Sequence, residues 1–128
     1  MSTNKPILRV DNLKVDFPVF GGLLQRKINS VLAVRDVCFE LVKGETLGIV
    51  GESGSGKSTL GNAILNVLKL TAPDVKITGK ISLVLDRDEV ELIGLSRKAM
   101  KPYRKHIQMI FQDPYSSLNP RMIIKDII

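Results

Sequence analysis

Hydrophobic and polar residues alternate from Ile7 to Phe17, where Leu8, Val10 and Val15 are set among Arg9, Asp11, Lys14 and Asp16. A period of two is what a half-buried β-strand requires. Pro18 and Gly21-Gly22 are predicted to end this strand, and Gly22 to Asn29 reads as a loop excursion. Alternation resumes over Val31 to Val42 through Val34, Val37, Phe39 and Leu41. Lys43-Gly44-Glu45 is a turn. Thr46-Leu47-Gly48-Ile49-Val50 is short, apolar and nearly free of charge, which predicts a strand buried on both faces of a sheet.

From Ser58 the period changes to that of a helix. Leu60, Ile64, Leu65, Val67 and Leu68 form an apolar stripe that Thr71 and Pro73 stop. Ile77 to Ile93 alternates again around Asp86-Arg87-Asp88-Glu89, predicting an antiparallel hairpin with Asp86 in its turn. Ser96 caps a short basic helix reaching about Lys105, and Ile107-Gln108-Met109-Ile110-Phe111 predicts another buried strand. Asn119-Pro120 opens a last helix, with Asn as cap and Pro in the first turn. Its apolar residues Met122, Ile123, Ile127 and Ile128 have nothing after them to pack against, so the chain reads as the first part of something larger.

Composition narrows this picture only a little. With 128 residues and 44% hydrophobic residues the chain suits one domain and is too short for two. No stretch approaches the roughly 18 apolar residues of a membrane span, and Lys125 and Asp126 interrupt even the closing Ile-rich run. Met1 to Pro6 is polar and lacks the apolar core of a secretory signal, so a cytoplasmic location is expected. Cys38 is the sole cysteine, which excludes an intrachain disulfide and predicts a small core residue. His106 has no second ligand at metal spacing and reads as structural. The +6 net charge is partly concentrated in Arg97, Lys98, Lys101, Arg104 and Lys105. No interleaved aromatics offer bases a stacking platform, so these read as a solvated helix face and no nucleic-acid partner is expected.

Chemistry enters at Gly51-Glu52-Ser53-Gly54-Ser55-Gly56-Lys57-Ser58, which fits G-x-x-x-x-G-K-[ST] between a predicted buried strand and a predicted helix. Glycines reach backbone conformations closed to other residues, so successive N–H groups can turn inward around phosphate oxygens. The helix that follows adds the positive end of its dipole. The Lys57 ammonium can reach the β- and γ-phosphates, while the Ser58 hydroxyl can ligate Mg²⁺ between them. The competing reading is a chance glycine-rich turn, which the strand and helix context opposes. A P-loop alone does not separate transporter ATPases from kinases, GTPases or helicases.

Three segments carry a further resemblance: Leu13-Lys14-Val15-Asp16-Phe17, the run from Lys43 through the P-loop to Leu60, and Gln108-Met109-Ile110-Phe111-Gln112-Asp113-Pro114-Tyr115-Ser116-Ser117-Leu118-Asn119-Pro120-Arg121-Met122. Together they resemble the ATP-binding cassette (ABC) ATPases, in particular the ATP-binding subunits of oligopeptide and dipeptide importers, over nearly the whole chain. The resemblance implies an α/β P-loop NTPase core: an antiparallel β-subdomain, then the start of a mixed sheet and a helical subdomain. Residues 1–128 would be the N-terminal part of one ATP-binding domain, with its P-loop at 51–58 and a Q-loop near Gln112.

The resemblance also implies roles. Phe17 stands where the family stacks an aromatic ring on adenine, although from the residues alone it is equally a strand-end core residue. Val34 stands near ribose and base, and is otherwise a plain core valine. Gly51, Glu52, Ser53, Gly54, Ser55, Gly56, Lys57, Ser58 and Thr59 would hold the phosphates of ATP. Ser58 and Gln112 would ligate Mg²⁺, with Lys57 and Gln112 acting in hydrolysis. Partners would be a second ATPase subunit, forming a sandwich around ATP, and transmembrane permease subunits that dock the chain on the cytoplasmic face of the membrane as a peripheral subunit.

Other parts of a hydrolytic cassette are missing. The Mg²⁺ aspartate after an apolar strand, its adjacent glutamate, the Leu-Ser-Gly-Gly-Gln signature and the switch histidine have no counterpart in the family's order. Ile81-Ser82-Leu83-Val84-Leu85-Asp86 imitates the first of these but precedes Gln112, and His106 precedes it too. Residues 1–128 alone are therefore expected not to hydrolyse ATP. The expected function is an ATP-binding subunit that powers import of peptides or related solutes. The alternatives are a truncated, non-catalytic nucleotide-binding module and, third, a P-loop protein acting on nucleic acid.

Overall fold

A computed structural model describes residues 5–21, 26–85 and 88–110. Gln112, the Asp113–Arg121 segment, the predicted last helix and Asp86 lie outside the described residues. The fold is built on one antiparallel sheet with strand order β2-β1-β3-β4, formed by β1 (Pro6–Gly21), β2 (Arg26–Val42), β3 (Lys76–Leu85) and β4 (Asp88–Glu91). The predicted hairpin over 77–93 is present as β3 and β4, paired from Ser82↔Glu91 to Leu85↔Asp88.

Of the four strands, the inner strand β1 contributes the most buried apolar residues. Val10, Leu13 and Val15 of β1 are buried against Val34 of β2, Ile81 and Leu83 of β3, and Leu60 and Ala63 of the helix above. Val10 and Leu13 share the core face although their numbers differ by three. A β-bulge makes this possible: pairing runs from Val10↔Phe39 to Leu13↔Val37, so β1 advances one residue more than β2, with Asn12 at φ 47°. The next interval, Leu13↔Val37 to Val15↔Val34, puts the extra residue on β2 at Asp36, also at φ 47°. On the other side of β1, Gly79 (φ 99°) faces the same bulge. A Cβ there would stand 2.5 Å from the Asn12 carbonyl oxygen and 2.6 Å from that of Asp11.

The two strands extend further than alternation predicts. β1 continues through Pro18 to Gly21, and β2 already begins at Arg26, inside the expected loop. Proline is tolerated because pairing with β3 ends at Asp16↔Lys76, leaving this end of β1 with β2 as its neighbour. Cys38 is exposed, not a core residue. The Asp36 bulge resets the alternation so that Val37 and Phe39 pack against the core, and Cys38 between them faces outward, where its thiol accepts the Asn12 N–H at 3.1 Å.

The helical stripe is split. α1 (Lys57–Ile64) and α2 (Leu68–Thr71) are separated at Asn66, whose φ of 53° is left-handed. The Asn66 N–H donates to the Ala63 carbonyl (3.0 Å) and the Val67 N–H to that of Asn62 (3.1 Å), a Schellman stop. The Asn66 side-chain amide donates to the Leu95 carbonyl at 3.0 Å, tying the helix end to the loop after β4. Ser96 caps α3 (Arg97–Met100) by accepting the Ala99 N–H at 3.2 Å, and a 3-10 turn over Lys101–Tyr103 replaces the remainder of the predicted basic helix.

Two predicted strands are not formed. Residues 46–50 and 107–110 run without regular pairing, and Val50 and Ile110 are 93% and 97% exposed. Apolar sequence makes a strand only where a neighbour takes its N–H and C=O groups. Among the described residues neither segment pairs with a strand, although β2 and β4 are the edges of the sheet.

Candidate functional site

The glycine-rich loop lies between the irregular segment ending at Val50 and the first turn of α1. It tightens through a turn in which the Ser55 N–H donates to the Glu52 carbonyl at 3.2 Å. Gly54 and Gly56 hold φ of 81° and 91°, a region that L side chains avoid. Gly56 is also the N-cap of α1, with its carbonyl accepting the Leu60 N–H at 2.8 Å. A Cβ on Gly56 would overlap the carbonyl oxygen of Ala33 in β2. The loop is thus seated directly on the sheet backbone, and only glycine fits the seat.

Lys57, the first residue of α1, folds back over the loop. Its ammonium donates to the carbonyls of Gly51 (2.7 Å) and Glu52 (2.6 Å) and to the Ser55 hydroxyl (3.2 Å). The positive charge is therefore held at the mouth of the loop, beside a helix N-terminus whose first N–H groups have no intrahelical partner. Ser58 is exposed and Thr59 half-buried on the same turn.

Ser55, Gly56 and Lys57 share a cleft of about 610 Å³ with Val34 and Arg35 of β2 and with residues 47–50 opposite. Val34 is 4% exposed, opposite Val15, so it borders the loop and belongs to the core at once. Phe17 does not line this cleft. It is half-buried, paired with Val31 and packed against the core. Ala33, whose carbonyl receives Gly56, was not singled out by the sequence, since its contribution is backbone and no residue pattern marks it.

These groups fit a polyphosphate. Nothing lies within 4 Å of a Cβ at Gly54, so the loop backbone there is open to an approaching anion, and the nearby donors are an ammonium and a helix N-terminus. The fit to Mg²⁺ is narrower. Among the described residues no group of three acidic, His or Cys side chains is placed to hold a metal. Ser58 offers a single hydroxyl, in keeping with Mg²⁺ bound mainly by phosphate oxygens and water.

A glycine-rich turn opening a helix, with a lysine folded over it beside the sheet, defines the P-loop NTPase class. The comparisons with known proteins narrow this. Residues 34–127 match the family model described as ABC transporter. The chain is 44% identical over 128 residues to the oligopeptide transport ATP-binding protein AppF of Bacillus subtilis, covering 99% of this chain and 36% of that protein. It is 44% identical over 124 residues to the glutathione import ATP-binding protein GsiA of Escherichia coli K12, and 42% identical over 120 residues to GsiA of Pectobacterium atrosepticum. Those alignments cover 97% and 94% of this chain and 18% of each relative. The chain belongs to the ABC transporter family, and it spans about a third or less of the length of these relatives.

Proposed function

We propose that the chain is the N-terminal part of an ATP-binding subunit of an ABC importer that uses Mg-ATP to power uptake of peptides or related solutes. The observation that carries the reading is the seat of Gly56 on Ala33 with Lys57 folded over the loop. Similarity to AppF and GsiA supports the importer class and the peptide-like solute. In this reading residues 1–128 form one incomplete domain. Residues 51–59 hold the phosphates, Lys57 neutralises β- and γ-phosphate charge, and Ser58 reaches Mg²⁺. Val34 borders the nucleotide, and Phe17 meets the adenine. Gln112 supplies the Q-loop contact to Mg²⁺ and the attacking water. A second ATPase subunit and permease subunits complete the assembly at the cytoplasmic face of the membrane. No helix among the described residues is long and apolar enough to cross a membrane.

ATP bound in the loop would meet charge stabilisation from Lys57 and the α1 N-terminus, but among the described residues lining the cleft none is a carboxylate that could orient water. Binding without turnover is the consequence for this stretch by itself. The test is titration of a fluorescent ATP analogue, with and without Mg²⁺, into the wild-type chain and Lys57→Ala, together with an assay of phosphate release. Binding that depends on Lys57, with no phosphate release, supports the reading. Absence of binding in the folded wild type overturns it. Release that Lys57→Ala abolishes overturns the non-hydrolysing part.

A further inference from the structure

On the side of the molecule formed by α2, α3 and the 3-10 turn, a second depression of about 680 Å³ is lined by Leu70, Arg97, Lys98, Lys101 and Arg104. Of these five described lining residues four are cations and none is acidic. Among the described residues these cations make no ion pair, whereas Arg9, Lys14 and Lys80 pair with Glu40, Asp36 and Glu89. Arg97 and Lys98 of α3, Lys101 of the 3-10 turn that follows and Arg104 at its end are crowded into one short stretch, where like charges repel. The fifth residue, Leu70, is 60% exposed, an apolar side chain displayed beside the cations. A third depression, bordered by Lys5, Lys43, Lys105 and His106, is also basic but includes Asp88.

We propose that the Leu70–Arg104 depression is a seat for the phosphate headgroups of an acidic phospholipid surface. Charge complementarity carries the assignment. Four cations with no ion pair among the described residues, gathered around a concavity, match a surface that repeats phosphate, and each basic residue near such a surface adds to the attraction. Leu70 favours a membrane over a soluble anion. A side chain of this kind inserts at the boundary between headgroup and acyl chain, as the apolar residues of interfacial segments do. This inference rests on the reading of the chain as a peripheral membrane subunit, but it uses none of the residues assigned to nucleotide.

The test is co-sedimentation of the full chain with vesicles of phosphatidylglycerol and phosphatidylethanolamine, against vesicles of phosphatidylcholine. The wild type is expected to bind the acidic vesicles, with affinity falling as salt rises. Arg97→Gln/Lys98→Gln/Lys101→Gln/Arg104→Gln is expected to lose about tenfold or more in affinity. A control, Lys5→Gln/Lys27→Gln/Lys43→Gln/Lys76→Gln, carries the same net charge and is expected to lose much less. Leu70→Gln is expected to weaken vesicle binding without changing competition by inorganic phosphate.

Equal losses in the two quadruple variants would overturn the proposal, since net charge alone would then explain binding. So would vesicle binding unaffected by Leu70→Gln, or a patch variant that loses affinity for an oligonucleotide but not for vesicles. Circular dichroism confirms that each variant is folded. ATP-analogue binding in the same preparations separates failure here from failure of the nucleotide reading: a wild type that binds the analogue but not the acidic vesicles removes only the lipid seat.

Discussion

Gly56 rests on Ala33: the α-carbon that caps α1 occupies space that a side chain would have to share with a carbonyl oxygen of β2. This contact fixes where the phosphate loop sits relative to the sheet. Gly56→Ala adds a backbone penalty of about 1–2 kcal/mol at positive φ and displaces the loop. Gly44→Ala tests the separation of these effects, because Gly44 has φ 86° with nothing within 4 Å of a Cβ. Both variants are expected to lose stability in denaturant titrations, and only Gly56→Ala to lose nucleotide affinity.

In the proposed function Lys57 would exchange its loop carbonyl partners for phosphate. Its carbonyl contacts are on the exposed side of the loop, so Lys57→Ala should change stability by no more than about 0.5 kcal/mol. Charged hydrogen bonds to phosphate are worth roughly 1.5–3 kcal/mol, so ATP affinity should fall by about ten- to a hundredfold. Calorimetric titration of ATP checks this, and an unchanged affinity would contradict the role given to Lys57.

Asn66 combines a left-handed backbone with a side-chain bond to Leu95. Asn66→Gly keeps the first and loses the second, at a cost of about 0.5–1.5 kcal/mol. Asn66→Ala loses both and should cost about 1 kcal/mol more. Thermal unfolding of the two variants reads the difference, and equal midpoints would mean that the backbone is not strained.

Lys80 of β3 and Glu89 of β4 form a side-chain ion pair at 2.8 Å, although Glu89 stands opposite Val84 in the ladder. The hydrogen bond from the Lys80 ammonium first, then the Ser82 hydroxyl and the Lys80 charge, hold the Glu89 carboxyl below its ordinary value of 4.5. A carboxyl lowered by folding stabilises the fold above that ordinary value, and the contribution disappears as pH falls through the folded value. Lys80 is raised by the same contact, so its contribution is complete below 10.5 and disappears as pH rises beyond that. Carboxyl NMR titration of Lys80→Gln should show Glu89 moving back up. Both groups are exposed, so solvent screens the pair and its effect on stability should be small.

Sequence patterning gave the antiparallel half of the fold because each of its strands finds a partner within the same stretch of chain. It failed for 46–50 and 107–110 because apolar runs announce burial, and burial depends on neighbours that these residues do not have among those described. Cys38 departs from expectation for a different reason. A lone cysteine reads as a small core residue, but Val37 and Phe39 on either side of it take the inner face and leave it outside. The Asn66 stop could have been read from an asparagine at the end of an apolar stripe. Within the candidate site the glycines, Lys57 and Ser58 stood out as a motif, while Ala33 was silent because it acts through a carbonyl that every residue carries.

The paired bulges at Asn12 and Asp36 set a rule about length. Between Val10 and Val15, and between Val34 and Phe39, each strand carries one residue more than a flush ladder needs, and the two excesses offset each other. Removing the extra residue itself, Asn12 or Asp36, would leave Val10 and Leu13, or Val34 and Val37, two apart and still on one face. Removing a residue from a flush interval, between Leu13 and Val15 or between Val37 and Phe39, would turn the side chains beyond it toward water. The hairpin is therefore tolerant of a lost residue at its bulges and intolerant of one between them.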